Sequence, residues 1–176
     1  MSLTQELIST LTAMQVEAGE TDYSKCGYHI GVHLKDDQVR NFAQAMLEKG
    51  FYLDFVTAIH VTPQFQIVYQ FAKFEEACRV NAKALALDDG SIPTISDIYH
   101  GADWHERETH DFYGVSFTGH QDLRTLLLCD EDSDLKPLLK KEEKLLSIEG
   151  ITRKAVENKD TKAEKTEKTN HSPEQE

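Results

Sequence analysis

Apolar residues recur along this chain with two periods, and the switches between them divide it into elements. Leu3, Leu7, Ile8, Leu11 and Met14 follow the spacing of one helical face, predicting a helix over 2–16. Ser2 and Gln5 form a capping-box signature at its start, and the polar run 21–24 reads as a linker. The period then drops to two: Tyr28, Ile30 and Val32 alternate with His29, Gly31 and His33, a strand over 28–34. Asp36 or Asp37 can cap a second helix whose stripe is Val39, Phe42, Ala43, Met46 and Leu47, with Gly50 at its C′ position. Three strand-like runs follow, over 51–59, 65–71 and 79–87, punctuated by Pro63 and by the turn 88–91. The last places Val80, Ala82, Ala84 and Ala86 on one side, although its alanines suit a helix equally well.

Short connections between consecutive strands favour antiparallel pairing. The predicted fold is α+β, a mostly antiparallel sheet with helices packed on one face, plus an extended C-terminal arm. The expected divisions are an N-terminal helix (1–20), an α+β domain (25–135), a partner-binding arm (136–156) and a disordered tail (157–176). Beyond Ala163 and Pro173 the tail holds only polar residues, too little apolar surface to offset its ordering entropy. The arm carries Leu138, Leu139, Leu145, Leu146 and Ile148 with no evident core of its own, so it is expected to fold on a partner.

Charge narrows the function. The chain of 176 residues has a net charge of −12, distributed as −13 over residues 1–135 and +1 over 136–176. So acidic a body repels phosphate backbones and anionic headgroups, which excludes nucleic acid as a direct partner. No apolar run is long enough to span a bilayer. The N-terminus lacks the basic and apolar regions of a secretory signal, and the chain reads as cytosolic. Its three cysteines, Cys26, Cys78 and Cys129, form no Cys-x-x-Cys pair, so thiolate zinc and iron–sulfur sites of the usual spacing are not expected.

The chemically dense segment is 94–130. Asp103 and Glu106 form an Asp-x-x-Glu helix start after Gly101, and Gly114 supplies the stop. Trp104, Glu108 and Phe112 share a face, and Arg107 and Asp111, four apart, are placed to pair. His105 and His110 imitate a zinc-protease helix, but five residues apart they diverge by roughly 140°, where that motif needs a four-residue spacing. Asp111-Phe112-Tyr113-Gly114 lacks the glycine-rich and catalytic loops of a kinase, and no phosphate-binding loop or nucleophile elbow is present.

The string from Ala102 to Leu127 resembles the signature of the C subunit of respiratory complex I, the NADH–quinone oxidoreductase. It has Trp104, then Glu106-Arg107-Glu108, Asp111-Phe112-Tyr113-Gly114, Phe117-Thr118-Gly119-His120 and Leu123-Arg124. The same family includes the equivalent subunit of membrane-bound nickel–iron hydrogenases and formate hydrogenlyases. The resemblance covers about residues 28–140. It implies a scaffold and assembly subunit of a membrane-associated complex, on the cytoplasmic side of the membrane, with no redox centre of its own. The implied partners are the large hydrogenase-like, quinone-site subunit and the iron–sulfur subunits, which would hold the iron–sulfur clusters and, in hydrogenases, nickel–iron.

The interface expected from the resemblance comprises Trp104, Glu106, Arg107, Glu108, Asp111, Phe112, Gly114, Gly119, His120, Leu123 and Arg124. No catalytic, cofactor-binding or metal-binding residue is assigned. In this scheme Trp104 and Phe112 anchor the helix, and Arg107 pairs with Asp111 or with a partner carboxylate. Glu106 and Glu108 accept from partner arginines or backbone N–H groups. Gly119-His120 turns the chain, and Leu123-Arg124 leads an extended arm over a partner.

The sequence departs from the family pattern at Gln121, where a proline is common, and at Thr125, where a second arginine is common. The acidic stretch 130–134 and the run 137–142 also differ, and the tail is short. These departures lift the hydrogenase branch and leave both branches open. Two rivals stand beside this reading: a free-standing acid/base enzyme using His105, His110 or His120 with Glu108, and a soluble adaptor without a complex.

Overall fold

The structure, a computed structural model, describes residues 3–128 and 137–139. Helix α1 (Leu3–Ala13) buries Leu7 and Leu11, the inward half of its predicted stripe. The chain then forms strand β1 (Glu17–Glu20), inside the division 1–20 assigned to the N-terminal helix, and the single-turn helix α2 (Tyr23–Cys26), which starts within the expected linker 21–24. Neither has an apolar period to announce it. β1 is held by backbone pairing to its neighbour, and α2 by Asp22 accepting from the Ser24 N–H at 3.1 Å.

Strand β2 (Ile30–Leu34) and helix α3 (Val39–Glu48) follow their predicted patterns. Val39, Phe42, Ala43 and Met46 are buried, while Leu47, at the edge of the stripe, is exposed. Gly50 closes the helix at φ +77°, a conformation that costs a residue with a Cβ strain. Strands β3 (Tyr52–His60), β4 (Phe65–Lys73) and β5 (Cys78–Leu85) complete one five-stranded sheet in the order β1-β2-β5-β4-β3. The run over 79–87 is thus a strand, as its alternation predicted. Only the β2–β5 pairing is parallel, and those two strands are separated in sequence by α3 and the β3–β4 hairpin.

Phe65, Ile67, Tyr69 and Phe71 of β4 lie on the helix-covered face. The small side chains Val80, Ala82 and Ala84 of β5 stand opposite them and make room for the aromatic rings. Phe42 of α3 meets Phe71 edge-on at a ring-centroid distance of 5.6 Å. On the sheet's other face Gln70 accepts from Asn81 Nδ2 at 2.9 Å, which satisfies two polar groups in the middle of the sheet.

A second unit carries the dense segment. Strands β6 (Ser91–Pro93) and β7 (Ser116–Thr118) pair in parallel, joined across helix α4 (Ala102–Tyr113). At three residues each, these strands are too short to show a period. α4 packs over the sheet by Tyr113 against Phe65, and the segment leading into it by Tyr99 against Phe71. The Tyr99 hydroxyl donates to the Phe51 carbonyl at 2.9 Å. The disordered tail expected over 157–176 lies outside the described residues, as does the arm 136–156 apart from 137–139.

Candidate functional site

Helix α4 starts at Ala102, with Gly101 at the N-cap and no side-chain cap. The expected Asp103–Glu106 capping box is therefore absent. The first helical amides are already bonded, Ala102 N–H to the Tyr99 carbonyl and Asp103 N–H to the His100 carbonyl. Glu106 is released from capping and turns inward with Ala102 and Thr109.

Glu106 is fully buried. Its carboxylate accepts from the Ile95 N–H at 2.9 Å and from the Thr94 hydroxyl, locking the turn after β6 onto α4. Thr94 Oγ1 also lies 2.9 Å from Ser96 Oγ and accepts from the Ser96 N–H. Burial raises the Glu106 pKa to about 7, against the lowering effect of those two donors. The Tyr69 hydroxyl beneath is buried with no hydrogen-bond partner among the described residues, and burial, with a smaller contribution from the Glu106 charge, raises its pKa.

Arg40 of α3 braces the same turn. It donates to the Thr94 carbonyl at 2.6 Å and bidentately to Asp97 at 2.8 and 2.7 Å. The Arg40 guanidinium holds the Asp97 carboxyl below the usual carboxylate range.

His120 closes the cluster from the other side, its side chain 1% exposed. Its Nδ1 accepts from the Asp122 N–H at 3.1 Å, so the proton of the neutral ring sits on Nε2. That Nε2 lies 3.3 Å from Asp103 Oδ1 and 3.9 Å from Glu106 Oε2 and hydrogen-bonds to neither.

The expected Arg107–Asp111 pair does not form. Arg107 donates to the carbonyls of Arg124 at 3.0 Å and Thr125 at 2.8 Å, with Asp103 a further 3.9 Å contact. Asp111 is buried and accepts from the N–H groups of Leu126 at 2.9 Å and Leu127 at 2.7 Å. Both side chains point outward from one side of α4 and are taken up by a backbone that returns over it. Leu123-Arg124 thus lead the extended segment first along α4 of their own chain. Leu123 packs partly against the core, and the Arg124 side chain pairs with Asp122 in solvent.

Past the C-terminal end of α4, the 137–139 segment crosses the helix. Leu139 N–H donates to the Phe112 carbonyl at 2.8 Å, and Pro137 packs on Gly114, where a Cβ would come within 2.7 Å of its Cγ. His110 uses Nδ1 on the Val115 carbonyl at 2.8 Å. Phe112 and Glu108 are half-buried.

Trp104 alone among the large α4 side chains faces out, 67% exposed. It borders an open groove of about 410 Å³ with Asp97, His100, Asp103, Gly119 and Gln121. Gly119 makes its turn at φ +87° directly after β7. The structure thus gathers Glu106, His120 and Asp103 in one cluster and Arg107, Asp111 and Arg124 in another. Sequence reasoning missed Arg40, Asp97, Thr94 and Tyr69. No local spacing links residue 40 to residue 97, and of the four only Thr94 and Asp97, in the segment 94–130, lay within the stretch already singled out.

This helix and its returning segment lie within a match to a known family. Residues 32–145 fit the family model described as "Respiratory-chain NADH dehydrogenase, 30 Kd subunit". The chain belongs to that family. Among its curated relatives, the C subunit of the NADH-quinone oxidoreductase of Mesorhizobium japonicum is 44% identical over 64 residues, which is 36% of this chain and 32% of the relative. The mitochondrial NADH-ubiquinone oxidoreductase 30.4 kDa subunit of Neurospora crassa is 39% identical over 77 residues, 44% of this chain and 27% of the relative. The chain thus matches about a third of the length of its curated relatives. A similar fold also appears in a chain of the membrane-bound sulfane sulfur reductase, an archaeal respiratory membrane complex. That chain is 22% identical with a TM-score of 0.67, over 85% of this chain and 89% of the other, a likeness of fold.

Proposed function

We propose that this 30 kDa-family chain is a scaffold subunit of a complex I-type oxidoreductase, transferring no electrons itself. In this reading it holds a large quinone-site or hydrogenase-like subunit and iron–sulfur subunits in register, and the clusters, with nickel–iron where present, belong to those partners. It sits on the cytoplasmic side as a peripheral part of a membrane complex. No helix among the described residues is long and apolar enough to cross a membrane.

The observation that carries the reading is how α4 divides its side chains. Glu106, Arg107, Asp111 and His120 are engaged within the chain, whereas Trp104, the only tryptophan, stands exposed beside an open groove on the family's signature helix. An exposed indole on a rigid, internally braced helix is the usual form of an interface anchor. Exposed Leu127, Leu138 and Leu139, around the opposite end of α4, add apolar surface to the same unit.

The test is purification of the tagged full chain from its source membranes in mild detergent, with mass-spectrometric identification of what remains bound. Co-purification of a quinone-site or hydrogenase-like subunit with cluster-bearing subunits supports the scaffold. A chain recovered alone from membranes that retain the assembled complex overturns it. Metal analysis of that material separates the two branches. Nickel assigns the hydrogenase, the branch supported by Gln121 and Thr125; NADH oxidation without nickel assigns the respiratory enzyme.

A further inference from the structure

The hydrophobic core engages one face of the five-stranded sheet. α1 through Leu7 and Leu11, α3 through Phe42 and α4 through Tyr113 all pack on the side that carries Phe65 and Phe71 of β4. On the other face, cross-strand register places Tyr52, Phe55 and Ile59 of β3 beside Val68 and Ala72 of β4. None of these five belongs to the core cluster. A sheet face left to water is ordinarily polar, so an apolar stripe along its β3 side points to a cover. Phe74, 82% exposed, stacks on Tyr52 at 4.5 Å and carries the stripe past the end of β4.

The same face is basic along β5. Arg79, Asn81 and Lys83 are alternate residues and point the same way, each beside a β4 residue of that face. Asn81 is bonded to Gln70, which leaves the two cations. Six of the other seven Lys and Arg side chains among the described residues stand in ion pairs, and Arg79 and Lys83 stand in none. Arg79 lines an open groove of about 330 Å³ together with the Tyr52–Phe74 stack and a second stack, Tyr23 on His29 at 4.4 Å. In a body as acidic as residues 1–135, two cations kept clear of its many carboxylates are complementary to acid from elsewhere.

β3 and β5 are two strand spacings apart, about 10 Å, the width of one α-helix. Arg79 and Lys83, four residues apart along a strand, are separated by about 13 Å, close to the rise of eight helical residues at about 12 Å. We propose that this face is a second docking surface and that its occupant is an amphipathic acidic helix of a partner subunit. The helix lies along β4, with apolar side chains toward β3 and carboxylates about eight residues apart toward Arg79 and Lys83. The chain's own residues 136–176 fit poorly. Their net charge is +1, and residues 137–139, from which they continue, run over α4 on the other side of the sheet. The proposal rests on the scaffold reading for the existence of a partner and adds where and by what chemistry one binds. With Trp104 on the helical side and this face opposite, one chain holds two partners in register.

The experiment treats material purified from source membranes in mild detergent with a carbodiimide, which joins a lysine to a carboxylate only where the two touch. Peptide mass spectrometry then identifies what Lys83 is joined to, and acetylation of Lys83 is compared between that material and the isolated full chain. Lys83 should acetylate freely in the isolated chain, lose that reactivity in the complex, and be joined to an Asp or Glu in an amphipathic segment of another subunit. The double variant Arg79→Glu with Lys83→Glu, its fold checked by circular dichroism, should recover that subunit at least about tenfold less well, because like charges then face each other. Replacing the identified partner carboxylate with lysine should restore it. Equal acetylation in both states overturns the proposal, as does a Lys83 cross-link only to residues 129–176 of its own chain or to a second copy. A chain recovered alone from membranes that retain the complex removes the scaffold reading and this surface together. An assembled complex with Lys83 still reactive removes this surface alone.

Discussion

Arg107 and Asp111 stand one turn apart on α4, yet they grip the same returning backbone instead of each other. Arg107 takes the carbonyls of Arg124 and Thr125, and Asp111 takes the amides of Leu126 and Leu127. The change of polarity along the segment matches the order of charges on the helix, so one register satisfies both. Replacing either side chain with alanine strands polar backbone groups. Each single variant should lose about 1.5–3 kcal/mol in urea unfolding, the range for hydrogen bonds to charged groups. Because both hold one segment, the double variant should cost less than the sum. Full additivity would mean that the two contacts are independent.

Glu106 gives the fold a pH dependence of definite sign. Its carboxyl has a folded-state pKa of about 7, above the ordinary value of 4.5. The folded state therefore binds more protons than the unfolded chain between those values. Glu106's contribution is greatest below the unfolded pKa and is lost as pH rises through about 7. The loss amounts to about 3 kcal/mol at most, at 1.36 kcal/mol per pH unit. Denaturant midpoints measured across this window should fall with rising pH in the wild type and flatten in Glu106→Gln.

Gly114 separates backbone strain from packing. An alanine there meets φ +73° and Pro137 Cγ at 2.7 Å, whereas at Gly27, φ +79°, it meets nothing within 4 Å. Gly27→Ala should cost only the left-handed strain, about 1–2 kcal/mol. Gly114→Ala should cost more and should also speed hydrogen exchange at the Leu139 amide, which is bonded to Phe112 O. Equal costs at the two sites would show that Pro137 contributes nothing to holding the helix end.

Side chains that repeat were legible in the sequence; those whose partners are distant were not. The α3 stripe and the β4 alternation follow from period alone, because burial on one face imposes it, whereas the alanine side of β5 suited a helix equally well until its pairing decided it. β1 and β7 have too few buried side chains to show one. At the candidate site, sequence spacing placed α4 and both of its glycine ends. It mispaired Arg107 with Asp111 because i, i+4 geometry is local, whereas the backbone that claims both lies 15 to 18 residues away. The capping box failed for a related reason. Thr94 and Ile95 offered Glu106 buried donors, and a carboxylate so enclosed cannot also cap its own helix.

Trp104 is where stability and assembly should part. Two-thirds exposed and outside the core, it contributes little to the chain's own fold. Trp104→Ala should change the unfolding free energy by no more than about 0.5 kcal/mol, as surface substitutions usually do. If the indole anchors a partner, the same change removes an interface contact of about 2 kcal/mol or more, a loss of about 30-fold in affinity. Quantitative co-purification from membranes checks it, with circular dichroism of the isolated variant confirming the fold. A variant that folds normally and still assembles at wild-type yield and salt resistance would move the anchor away from α4, leaving Leu127, Leu138 and Leu139 as the surface to test next.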